Sequence, residues 1–297
     1  MKRPRRVRGG RLPFFHVSRT IDTILASAAT LKPFPKVAVR ALELLEDPLV
    51  SAGRLVEVLA LDATLTATML KAANSAAVRR SRHVDDLKQA LAMLGNQRFR
   101  ELVFASASVE YLSGNQDGYQ LTTGDLWRHS VATSLMVEIL RQAAGLPANP
   151  ALFTAALLHD LGKAVLSSYV EAEGKTILAL VAQGQTFLDA ERVVLGVDHA
   201  ELGALIVERW NFSPELASLI RYHHTPEARA TSKPLAVLHV ANVLSQLYGM
   251  GPGVDALAQR TTDAPVELLG LTRRQLEASL AELHEKLTQA DTLLEMA

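Results

Sequence analysis

The chain contains no cysteine. That absence excludes disulfides, thiolate metal ligands and cysteine nucleophiles, and it fits a reducing compartment, so a cytoplasmic location is expected. Aromatic residues are scarce, at 5% of 297 positions, while alanine and leucine abound; residues of that kind lose little side-chain entropy in a helix. No apolar run approaches the ~18 residues of a transmembrane helix, so no membrane span is expected. The opening, MKRPRRVRGGR, lacks an apolar stretch behind its basic residues, so no secretory signal is expected there. A net charge is also missing, but the zero sum hides an asymmetry. Lys2, Arg3, Arg5, Arg6, Arg8 and Arg11 leave the remainder of the chain at −6. Such a body is a poor nucleic-acid surface, and no recognition-helix or zinc-finger motif supports that use.

What is present is helical patterning nearly everywhere, with hydrophobic residues at 48% and hardly any strand-like alternation. The expected fold is all-α. Residues 1–13 are expected to form a disordered basic tail, 14–115 a helical N-terminal half, and 116–297 a helical bundle half with a C-terminal helix. The boundary lies in SGNQDGYQLTTGD, residues 113–125, rich in turn formers. The periodicity predicts helices over 36–46, 52–61, 64–77, 84–95 and 97–112. It predicts others over 125–143, 150–162, 164–183, 186–195, 199–210, 214–224, 234–249 and 272–294. Ser51 and Asp62 read as N-caps, and Asn149-Pro150 and Ser213-Pro214 as caps followed by proline at the first helical position. The last helix carries Leu276, Leu280, Leu283 and Leu287 at heptad-like spacing, and is expected to pack on the body or on another chain.

Six of nine histidines fall between residues 129 and 239, about twice an even scatter. Asp125 and His129 are four apart and share a helix face. His159, Asp160 and Lys163 close a helix beginning ALFTAALL, apolar all round and therefore buried. A histidine–aspartate pair there must be hydrogen-bonded or metal-bound. Lys163, one turn past His159, can meet a phosphate or the aspartate. His199 leads Leu202 and Ile206 on an inward face, and His223 follows Leu216, Leu219 and Ile220 with His224 beside it. Bundles assemble metal sites in this way, from side chains on facing helices. Imidazole and carboxylate suit iron, manganese, zinc or nickel. Each histidine taken alone reads better as a satisfied core or cap residue; only the set together favours a metal site. Trp127 and Trp210 read as core, Glu201 as exposed or as a partner for His199, and His16, His83 and His284 as surface.

The order His129, His159-Asp160, His199, His223-His224 resembles the HD superfamily of metal-dependent phosphohydrolases, and ALLHDLGKAVL is similar to its central helix. LWRHSVATSLMVEIL and DHAELGALIVERWNFSPELASLIRYHHTPE resemble HDOD domains (HD-related output domains) in particular. In the first half, LKPFPKVAVRALELLEDP, LDATLTATMLKAANSA and DDLKQALAMLGNQRFREL are similar to the same family. The resemblance spans about residues 28–290. It implies an all-α HDOD fold, with a helical N-terminal subdomain packed on an HD-like bundle. It also implies a role in bacterial signal transduction as an adaptor or output module contacting a signalling protein, with the loop at 113–124 and the tail as candidate contacts. The implied metal ligands are His129, His159, Asp160, His199, His223 and His224, with Asp125 as an added one. If the site turns over a nucleotide or other phosphoester, Asp160 would bridge two metals and Lys163 would steady a phosphate oxygen. Two departures stand out. Asn242 takes the place of a last aspartate ligand, offering a neutral oxygen. HHTPEARATSKP lacks the glycine-tyrosine-proline motif of cyclic di-GMP phosphodiesterases.

Overall fold

The structure, a computed structural model, describes residues 14–46, 50–74, 84–251, 253–258 and 262–294. The expected tail at 1–13 lies outside those residues, as does His83. Among the described residues all regular structure is helical: α1 Phe14–Ala29, α2 Lys36–Glu46, α3 Ala52–Leu59, α4 Ala63–Ala73, α5 Leu87–Leu112, α6 Asp125–Ala143, α7 Pro150–Leu158, α8 Leu161–Ala172, α9 Gly174–Ala182, α10 Phe187–Leu195, α11 His199–Arg209, α12 Pro214–Tyr222, α13 Lys233–Leu247, α14 Ala264–Leu269 and α15 Arg273–Leu294. No described helix is long and apolar enough to cross a membrane.

Local chemistry explains the starts. Ser51 accepts from the Arg54 N–H, Asp62 from Leu65, Asn149 from Leu152 and Ser213 from Leu216, each satisfying a donor that a first helical turn leaves orphaned. Gly95 breaks the run over 87–112, as the predicted boundary between 95 and 97 requires, because its φ of 73° is closed to a helix. Several expectations differ, an unexpected short helix α14 among them. The helix α1 went unread beside the tail, although Ile21 and Ile24 pack inward. The helix expected over 150–162 stops at Leu158, and the one over 164–183 divides at Glu173. The first of these breaks matters most, since it turns His159 and Asp160 into a corner.

One apolar core runs through both halves of the chain. At the seam, Phe34 lies 5.9 Å from Tyr111 and 5.8 Å from Phe212, ring centre to ring centre, while Tyr111 lies 5.1 Å from Trp210. Aromatic contacts of this kind add about 1 kcal/mol each beyond area burial. Trp127 is buried on α6, its indole N–H donating to the Ala105 carbonyl at 3.0 Å, and Trp210 is half-buried against the same core. Leu283 and Leu287 of α15 are buried, and that helix packs against α6. The boundary loop is built in rather than free. A Cβ on Gly118 would lie 2.1 Å from the Ser167 carbonyl of α8, and Tyr119 is fully buried. The loop is held closely against α8, while Gly114, Asn115, Asp117, Gln120, Thr122 and Thr123 remain exposed.

Candidate metal centre

α6 and α7 are buried almost all round, so whatever polar groups they carry must find partners inside. His129 leaves the middle of the first two turns of α6. His159 and Asp160 sit at the corner between α7 and α8. His199 opens α11, and His223 and His224 follow the end of α12. The corner brings α8 hard against α11. A Cβ on Gly162 would stand 2.0 Å from the His199 carbonyl oxygen, so only glycine permits the approach.

These side chains converge. His129 Nε2 lies 3.2 Å from His159 Nε2 and 3.6 Å from Asp160 Oδ2, and His159 Nε2 lies 3.4 Å from that oxygen. The other carboxylate oxygen, Oδ1, is 3.6 Å from both His199 Nε2 and His223 Nε2, and His199 Nε2 is 2.9 Å from His224 Nε2. Two groups of potential ligand atoms result, His129–His159–Asp160 and Asp160–His199–His223–His224, each with all atoms within 4.8 Å of one another. Asp160 belongs to both, one oxygen to each. All are buried except His224, which is half-buried.

The imidazole tautomers follow from what holds the rings. His129 Nδ1 donates to the Met250 carbonyl at 3.0 Å, His159 Nδ1 to Ala156 at 2.8 Å and His223 Nδ1 to Ile220 at 2.7 Å. His199 Nδ1 donates to Glu191 Oε2 at 2.8 Å. With the proton on Nδ1, each neutral ring presents a bare Nε2 lone pair to the interior. Four lone pairs and a carboxylate thus face one another, and Asp160 Oδ1 and His223 Nε2 are buried without a hydrogen-bond partner. A four-coordinate divalent ion with bonds of about 2.0–2.2 Å holds its ligand atoms about 3.3–3.6 Å apart, close to the spacings found. The donor set fits a divalent cation on both counts.

Burial pushes His129 and His223 down to about 4, and His224 well below its ordinary range, which keeps the rings neutral and able to ligate. Burial also opposes ionisation of Asp160, but His159 and Lys163 together hold its carboxyl well below the ordinary range. His199 moves up, because Glu191 outweighs the burial that lowers it.

Of the residues singled out from sequence, Asp125 is the one the structure places elsewhere. Its Oδ2 accepts from the N–H of Thr122 at 2.8 Å and from its hydroxyl at 2.6 Å, tying down the first turn of α6 one turn short of the convergence. It belongs to neither ligand group. Lys163 meets the aspartate rather than the cavity: its Nζ donates to Asp160 Oδ2 at 2.8 Å and to Asp255 Oδ2 at 2.7 Å. Glu201 pairs with Arg221 at 2.9 Å; the partner of His199 is Glu191.

Three contributors escaped the sequence reading. Glu191, fully buried on α10, also accepts from the Tyr119 hydroxyl at 2.6 Å. Asp255 and the Met250 carbonyl arrive from the segment after α13. A signal for Glu191 was available, since it lies in helical phase with buried Phe187, Leu188 and Leu195. Asn242 Oδ1, flagged as a departure, stands 3.0 Å from His129 Nε2. A cavity of about 310 Å³ reaches the centre from one side, walled by His199, His224, Asp255, Asp189, Glu227 and Thr186 among others.

Comparison with known proteins agrees with this architecture. The HDOD domain family matches residues 31–226. An HDOD domain protein of unknown function from Geobacter sulfurreducens has the same fold, at TM-score 0.70 and 22% identity, over 92% of this chain and 98% of that one. A candidate phosphohydrolase from Shewanella amazonensis matches at TM-score 0.67 and 26% identity, over 92% and 97%. A candidate signal transduction protein from Marinobacter aquaeolei matches at 0.70 and 20%, over 95% of this chain and 66% of its own. An uncharacterised protein of Treponema pallidum is 26% identical over 73% of this chain, which spans only 43% of that relative's length. The chain belongs to the HDOD domain family.

Proposed function

We propose that this HDOD protein is a cytoplasmic regulatory module of signal transduction, built around a buried divalent-metal centre and acting through protein contacts rather than turnover. The ligands would be His129, His159 and Asp160 on one side and Asp160, His199, His223 and His224 on the other. The donors, nitrogen and oxygen without sulfur, suit iron, manganese, zinc or nickel. When bound, such an ion would polarise an oxygen ligand or acidify a water.

The observation that carries the adaptor reading is the engagement of Lys163. Its ammonium is already matched by Asp160 and Asp255. The described lining of the cavity offers no lysine or arginine, but three carboxylates, Asp189, Glu227 and Asp255. An anionic phosphoester entering there would be drawn by the metal alone and opposed by those charges. Protein contact is supported by a groove of about 410 Å³ at the seam of the two halves, with Val39, Leu42, Phe104, Phe212 and Leu216 inside it and Glu43 and Glu215 also on its walls. The Marinobacter neighbour's description as a signal transduction protein points the same way.

The test is a panel of phosphomonoesters, nucleotides and cyclic dinucleotides incubated with the manganese- or iron-loaded protein. No product above the protein-free control is expected. Release of phosphate or nucleotide that disappears in His159→Ala overturns the reading in favour of a phosphohydrolase. That second reading has one specific support: His199 and His224 form part of the cavity wall, which gives the centre an accessible side. The Shewanella neighbour's description agrees with it. In it Asp160 would bridge two ions, and Lys163 would turn from Asp255 to a phosphate oxygen.

A further inference from the structure

The two ligand groups are alike in spacing and unlike in charge. On the His199 side, Asp160 Oδ1 accepts no hydrogen bond, and neither does His223 Nε2 make one. Both are available to a cation without breaking anything. Behind His199 stands the buried carboxylate of Glu191, and a carboxylate on the far nitrogen makes an imidazole a better donor to metal. His199 and His224 also border the cavity, which provides a route in.

The His129 side is poorer in available negative charge and in access. The oxygen it shares, Asp160 Oδ2, is occupied by the Lys163 ammonium at 2.8 Å, so a metal there would sit beside a fixed positive charge. Asp255, on the other side of Nζ at 2.7 Å, keeps that charge in place. Asn242 Oδ1, 3.0 Å from His129 Nε2, supplies a neutral oxygen. The two rings are backed by the main-chain carbonyls of Met250 and Ala156, neither of them charged.

We infer that this chain holds one divalent ion tightly, on Asp160, His199, His223 and His224, and that the His129–His159 group is the weak one. The centre is then mononuclear in practice, although the fold presents donors for a pair. This inference rests on the metal-centre reading above and adds to it a stoichiometry and a location.

The experiment loads the full chain with manganese, passes it through metal-free buffer and measures metal per chain by elemental analysis, with circular dichroism on every variant. About one ion per chain is expected in the wild type. His223→Gln should lose it and His129→Gln should keep it, while Asn242→Asp should raise the ratio toward two. Electron paramagnetic resonance of the loaded wild type needs no variant to fold, and should show the spectrum of isolated manganese rather than of an exchange-coupled pair. Two ions held with equal affinity, a coupled-pair spectrum, or loss in His129→Gln with retention in His223→Gln would overturn the inference while leaving the metal centre standing. A wild type that retains no metal overturns both.

Discussion

Glu191 accepts twice from one residue: from the main-chain N–H of His199 at 3.0 Å and from its Nδ1 at 2.8 Å. The first bond fixes where α11 begins, and the second fixes how its first side chain is turned. With Tyr119 on the other oxygen, this fully buried anion is satisfied by three donors.

Replacing it separates those roles. Glu191→Ala leaves a tyrosine hydroxyl and an imidazole N–H buried without acceptors, and should cost about 3 kcal/mol of stability in urea unfolding. Glu191→Gln keeps an acceptor but removes the charge. It should fold nearly as well and bind metal roughly ten- to a hundredfold more weakly, measured by competition with a chelator. Equal metal affinity in Glu191→Gln and wild type would mean that the carboxylate only packs.

Asp160 should be the single most costly ligand to lose. Asp160→Ala removes the carboxylate common to both groups and leaves Lys163 with one anion in a buried place. Metal should be absent from the purified variant. The wild type should melt higher with a thousandfold excess of metal over its dissociation constant, by about 4 kcal/mol of linkage, and Asp160→Ala should show no such rise. A rise of the same size in the variant would place the ion elsewhere.

In a chelating buffer, stability should depend on pH in a defined direction. His129 and His223 titrate near 6.5 when unfolded and near 4 when folded, so below 6.5 the unfolded chain binds more protons. Their contribution is intact above that pH and is lost progressively as pH falls toward 4. His224 and His239, also lowered, act in the same sense; His199, raised by Glu191, acts in the opposite one. Four lowered rings against one raised give a melting temperature that drops on acidification below pH 6.5. A flat or rising profile in differential scanning calorimetry would contradict the buried neutral rings.

Gly162→Ala tests the close approach of α8 and α11. Its added methyl would meet main chain rather than a movable side-chain end, so strain of about 3 kcal/mol is expected. Because the obstructing atom belongs to His199, metal affinity should fall along with the melting temperature. A variant as stable as wild type would mean that the two helices can separate without consequence.

Much of this was legible before any coordinates. Helix phase put His129, His199 and His223 on inward faces, and the apolar run before His159 required a buried pair. What phase could not convey is where one helix stops. A turn between Leu158 and Leu161 sets the direction of His159 and Asp160, and no residue type there announces it. Asp125 illustrates the limit from the other side. Sharing a face with His129 was correct, but a carboxylate in a first helical turn is claimed by the nearby Thr122 donors. Contacts from distant chain, such as Asp255 on Lys163 across 92 positions, leave no trace in local spacing. Glu191 sits eight residues from its partner, in a different helix, and only its place on an apolar stripe hinted that it was interior.

The segment beyond α12 has a practical consequence for anyone dissecting this protein. The matched family region ends at residue 226, yet the ring of His129 is aimed by the Met250 carbonyl, and Lys163 owes half its compensation to Asp255. A fragment cut at the family boundary would keep every imidazole of the two groups while surrendering what steers one of them and what quiets the neighbouring ammonium. Its chemistry would be that of a different molecule, and measurements made on it would not transfer to the intact chain.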